Sequence, residues 1–160
     1  MSKPAVLTIA ELNKIDQLSF DKANKILSEA QAYLRCFDCD LAVRRAQEAF
    51  ELYLKGVFRF LQAEYPTIHD VKKEIYALTV AFKQHQLEEI QTRQVARLVL
   101  ANSVLHLWRL PAFYGDETLN VGSIFDESEA KLALSYADSA QFVCSVVRFH
   151  VYQLTGQIPF

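Results

Sequence analysis

The sequence predicts an all-α protein, an up-and-down antiparallel bundle of about five main helices. Three observations carry this. Turn-formers are scarce, with 4 Gly and 4 Pro in 160 residues, whereas an all-β domain needs a turn signal about every 8–12 residues. The prolines stand at 4, 66, 111 and 159 and leave the long proline-free segments 5–65, 67–110 and 112–158. Proline is excluded from helix interiors because it lacks an N–H and clashes with the preceding turn, so such segments suit long helices. Apolar residues also recur at helical spacing. A composition of 51% hydrophobic and 22% charged residues excludes disorder and supplies a core for one ordinary domain.

The elements follow in order. Thr8 through Glu11 has the form of a capping box that starts a short first helix. The second helix is expected from about Ser19 to Arg35, with Phe20, Ala23, Ile26, Leu27, Ala30, Tyr33 and Leu34 at helical spacing. Asp38 or Asp40 caps a third helix that carries Leu41, Ala46, Phe50, Tyr53, Leu54, Val57 and Leu61 and stops near Ala63, before Pro66. Thr67 to Asp70 again resembles a capping box, so the fourth helix follows it to about Gln84. The fifth is expected over Leu87–Leu110, stopped by Pro111. Residues 112–125 are polar and turn-rich. A last long helix starts within Asp126–Glu129 and ends at Gly156, a natural residue for the position after a helix. Residues 1–18 read as an N-terminal extension with the short helix, and 19–160 as the bundle.

Charge and cysteine content narrow the function. Lys plus Arg is 17 and Asp plus Glu 19, a formal charge of −2. That argues against coating nucleic acid or an anionic membrane through the bulk field, while leaving room for a local basic stripe. No stretch has the roughly 18 uncharged residues of a membrane span, so no membrane association is expected. The N-terminus lacks the apolar core of a signal peptide, and three Cys make no disulfide framework. The expected location is the cytoplasm.

Several constellations carry chemistry. Arg44, Glu48, Glu51, Lys55 and Arg59 share one face of the third helix. They form either a solvated face laced with intrahelical pairs or the lining of an anion-binding cleft. Asn102, His106 and Arg109 lie at steps of four and three in an otherwise apolar run, flanked by Leu98 and Leu105. Polar groups in such a run need partners or a cavity. They are either a capped helix end with a satisfied core histidine or a polar pocket at the end of the bundle. Cys36 and Cys39 form a lone CxxC, which points to buried thiols rather than redox or metal use. Di-iron chemistry needs Glu-x-x-His on two helices. The residues three before His69, His85, His106 and His150 are Pro66, Phe82, Ser103 and Val147, so that site is excluded. No metal and no cofactor is expected.

Three segments together resemble a known family. Asp40 to Lys55, DLAVRRAQEAFELYLK, is similar to the signature helix of HEPN domains, the higher-eukaryote and prokaryote nucleotide-binding domains. Tyr65 to Asp70, YPTIHD, resembles the family's "yPxtHd" turn, and Arg109 to Asp116, RLPAFYGD, its Arg-containing "aYYGd" segment. The resemblance spans about 19–155. It implies a helical bundle that is often a homodimer. It also implies pairing with a minimal nucleotidyltransferase in a toxin–antitoxin-like system. Many members are metal-independent RNases using Arg followed, after four to six residues, by His. Here Arg109 is followed by Tyr114, so tyrosine holds the histidine slot, and a neutral phenol is a poor general base at pH 7. The expectation is therefore a nucleotide- or RNA-phosphate-binding protein with a site at Arg109 and Tyr114, helped by Lys55, His106 and Asn102. One alternative is an active endoribonuclease in which His106 replaces the missing histidine. Another is a purely structural partner of a nucleotidyltransferase.

Overall fold

The computed structural model describes residues 6–67, 70–114 and 124–157, with side chains to Arg109 in the second stretch. The described residues form six α-helices: α1 (Ile9–Ile15), α2 (Asp21–Arg35), α3 (Cys39–Phe60), α4 (Lys72–Gln84), α5 (Thr92–Tyr114) and α6 (Glu127–Leu154). The described residues contain no strand, and the protein is an all-α bundle. α3 is the hub, packed on α2, α6 and α5, while α4 leans on α5. The alanines of α3 and α6 explain this. Ala42, Ala46 and Ala49 of α3 and Ala133, Ala137 and Ala140 of α6 are all fully buried, and small side chains let packed helix backbones approach. At Gly56 the packing leaves no room for a side chain: a Cβ there would lie 3.0 Å from Cys144 Sγ and 3.3 Å from Ser19 Cβ.

Two of the three expected caps are present, at Thr8 and Asp38, and a further one stands at the start of α6. Thr8 and Glu11 form a reciprocal box, Asp38 Oδ1 accepts from Leu41 N, and Asp126 and Glu129 form a second box. Gly156 follows the end of α6 with φ +74°, the left-handed conformation that glycine adopts without penalty. Three other helix ends reach the same conformation without glycine: Phe37, Gln62 and Gln86 have φ of 60°, 55° and 54°. The scarcity of glycine thus hid turns without removing them.

Four boundaries differ from the sequence expectation, each for a tertiary reason. First, α1 and α2 are one continuous helical run joined by a π-turn at Asp16–Phe20, and α2 itself begins at Asp21 rather than near Ser19. The turn brings Asp16 and Ser19 inward. Asp16 accepts from Arg148 Nε at 2.7 Å and Nη2 at 2.9 Å, and Ser19 accepts from Arg59 Nη1 at 2.7 Å. Leu12 of α1 is fully buried.

Second, α4 begins at Lys72, after Val71 in the cap position, so Thr67 does not cap it. Asn102 Oδ1 accepts the Val71 N–H at 3.2 Å, a distant side chain replacing a local cap. Ile68 and His69 lie outside the described residues. Third, α5 starts at Thr92, not Leu87, because Gln91 N donates to Gln94 Oε1. Leu87 and Ile90 are buried in the preceding turn instead. Fourth, α5 continues through Pro111 to Tyr114. The proline costs one hydrogen bond, to the Leu107 carbonyl, in the last turn. Leu107 is 75% exposed, so water reaches that region of the helix.

Candidate functional site

The site is built where α3 crosses the C-terminal half of α5. The stripe on α3 and the polar triad on α5 are each dictated by helical spacing, and the packing of the two helices sets them face to face. A pocket of about 30 Å³ lies between them, with Gln47, Phe50, Glu51 and Leu54 on one wall. Asn102, Leu105, His106 and Arg109 form the other, and Tyr65 closes one side. A water needs roughly 10–15 Å³ of such space, so the pocket as it stands holds a water and not a nucleotide.

Glu51 is the central charge. Its Oε2 lies 3.4 Å from Arg109 Nη1 and its Oε1 2.9 Å from Lys55 Nζ. Lys55 Nζ also stands 5.6 Å from the centroid of the Tyr65 ring, in cation–π range. Tyr65 packs edge-on against Phe58, with centroids 5.2 Å apart. Burial, then the Glu51 and Glu74 carboxylates, push its phenol well above the ordinary tyrosine value, so it keeps its proton. The stripe is therefore not only a solvated face. Arg44 and Glu48 pair within α3 at 3.6 Å, while Glu51 crosses to α5 and Arg59 crosses to the π-turn.

The residues expected at the site have different fates. Arg109 and His106 line the pocket mouth, with His106 exposed. Lys55 joins through Glu51. Asn102 lines the pocket too, but it is buried and its carbonyl oxygen holds Val71 N, so it organises the turn before α4. The side chain of Tyr114 lies outside the described residues. Sequence reasoning did not place Gln47 or Tyr65 at the site, and had Glu51 only as one charge of the α3 stripe. The available signal was the four-residue spacing of Gln47, Glu51 and Lys55 on the face of α3. Gln47 is buried, with Nε2 donating to the Leu105 carbonyl at 3.0 Å. Its Oε1 is buried without a hydrogen-bond partner among the described residues. That acceptor suits a water in the pocket.

Other features carry less. A larger hollow of about 690 Å³ is lined by Phe20, Phe142, Phe149 and His150, but its cation, Arg148, is locked onto Asp16. Of the two thiols expected to be buried, Cys39 is, but Cys36 is exposed because it caps the C-terminal end of α2 at the surface. Burial first, then the carboxylates led by Glu127, raise the Cys39 thiol, the opposite of redox activation. No group of three or more His, Cys, Asp or Glu with metal-site geometry occurs among the described residues. No helix of the described residues is long and apolar enough to cross a membrane.

The HEPN domain family model matches residues 17–143, most of the chain, and includes every described pocket residue. Comparison with curated proteins and with solved structures gave no match. On this match, and on the helical bundle that goes with it, the chain belongs to the HEPN domain family, which points to a nucleotide- or RNA-related function.

Proposed function

We propose that this protein binds a nucleotide or RNA phosphate at the mouth of the α3–α5 pocket. The observation that carries the reading is the convergence of Arg109 and Lys55 on one carboxylate beside His106. Two cations held by a shared anion are pre-positioned for a second anion. Guanidinium stays charged at any working pH and binds phosphate through paired N–H donors. Their side chains remain 33% and 31% exposed, which leaves them within reach of solute. Tyr114 stacks on a base or donates to the phosphate in this reading. The protein works as a homodimer alongside a minimal nucleotidyltransferase, in a toxin–antitoxin-like pair in the cytoplasm.

Titration of mononucleotides and short RNA onto the full chain tests the binding. Arg109→Ala should weaken it by about 1–3 kcal/mol, the loss of a charge-assisted hydrogen bond. It should keep the helical circular dichroism spectrum. Unchanged affinity removes the assignment. Light scattering checks the dimer, and a mass equal to the chain's 18.3 kDa rejects it.

One observation favours the endoribonuclease as a second reading: His106 is exposed at the same pocket as Arg109. Imidazole is the side chain whose ordinary titration suits general base work near neutral pH. RNA cleavage in chelator that disappears in His106→Ala would establish that enzyme.

A further inference from the structure

Glu51 stands where a bound anion would stand. One carboxylate oxygen faces each cation: Oε1 faces Lys55 Nζ at 2.9 Å and Oε2 faces Arg109 Nη1 at 3.4 Å. Lys55 is held by its own helix, four residues on, whereas Arg109 comes from α5. The bridge is thus both an intrahelical pair and a tie between the two walls of the pocket. Glu51 is itself 25% exposed at the side chain, so it has solvent to turn into.

We propose that Glu51 is a built-in competitor of the phosphate site, lowering its affinity for every phosphate so that a terminal monoester, with its larger charge, still binds and an internal phosphodiester does not. This rests on the phosphate-site reading above. The argument is one of charge exchange. The trio Arg109, Lys55 and Glu51 carries a net charge of +1. A phosphodiester carries one negative charge. Seating it on the two cations replaces one monoanion with another, and the displaced carboxylate remains tethered nearby. That exchange returns little Coulomb energy. A terminal phosphate carries about −1.5 to −2 at neutral pH and brings three strong acceptor oxygens. It gains more from both cations than the carboxylate gives up. Glu51 therefore sets a threshold that a monoester clears and a diester does not. In the empty protein the same contact keeps two cations from repelling each other across the pocket mouth.

The test uses two probes with one phosphate each and the same base: a nucleoside 5′-monophosphate and a dinucleoside monophosphate. Each is titrated by calorimetry onto the full chain and onto Glu51→Gln. The glutamine keeps the shape and an acceptor but removes the competing charge. The wild type should bind the monophosphate at least several-fold tighter than the dinucleoside. Glu51→Gln should tighten both by roughly three- to thirty-fold, the effect of deleting one partly solvated charge beside the ligand. Binding of the dinucleoside should then become measurable. Glu51→Asp keeps the charge but shortens its reach, and it should fall between the two. It also serves if the glutamine variant does not fold.

The outcomes separate the two readings. Wild-type binding that is unchanged or weakened by both Glu51 variants overturns the competitor. Equal wild-type affinity for the two probes overturns the selection of a terminal phosphate. Failure of every form of the protein to bind either probe overturns the phosphate site itself, and this inference with it.

Discussion

The buried ion pair between Asp16 and Arg148 provides the sharpest test of how the two ends of the chain hold the bundle. Arg148 of α6 donates twice to Asp16, and Tyr152 adds its hydroxyl to the same carboxylate. The side chains are only 13% and 10% exposed. The guanidinium is sandwiched between Phe20 at 4.7 Å and Tyr152 at 5.1 Å from the ring centroids. Both residues of the pair fall just outside the family-matched stretch 17–143. Asp16→Ala removes three hydrogen bonds that Arg148 and Tyr152 make to this carboxylate. Breaking one side of such a pair costs about 3–5 kcal/mol. For a domain of this size each kcal/mol moves the melting temperature by about 2–4 °C, so a fall of roughly 6–20 °C is expected. The double change Asp16→Leu with Arg148→Met leaves no buried charge and should cost less than either single change. Urea and thermal unfolding followed by circular dichroism on the full chain measure all of these. A loss below about 1 kcal/mol for Asp16→Ala, or strictly additive single changes, would falsify the account of a buried, mutually dependent pair.

Further outcomes are expected elsewhere. Gly56→Ala should destabilise by about 1–3 kcal/mol, because the new methyl meets Cys144 Sγ at 3.0 Å. Adding Cys144→Ala should recover part of that loss in the same unfolding assay. Phe37→Gly should stabilise by about 0.5–1 kcal/mol, since it relieves a left-handed residue whose ring is 76% exposed; a drop in denaturant midpoint would count against it. His150 Nε2 lies 3.3 Å from His85 Nδ1, and burial, then the neighbouring imidazole, lower its pKa below the ordinary 6.5. The unfolded chain then takes up the proton before the folded one does. Stability is full above about pH 6.5 and falls as the pH drops below it, until the folded group titrates too. His150→Gln should flatten that slope in melting curves across pH 5–7.5.

The sequence alone determined the helical class and most of the caps. Both are local. A 3.6-residue apolar period, and a Thr8 or Asp126 followed three residues later by glutamate, need only a few turns of chain to act. It also placed Arg109, His106 and Lys55 on helical faces, because face follows from spacing. Tertiary structure decided the rest. The start of α4 depends on Asn102, thirty-one residues away. The π-turn has no local cause in the sequence, but it is where Asp16 meets Arg148 and Ser19 meets Arg59. Whether Glu51 was one more surface charge or the anion between two cations was not written in α3, whose spacing is the same in both cases. It was decided by α5 arriving across it with Arg109 at the right turn, a pairing of residues fifty-eight positions apart that no local pattern encodes.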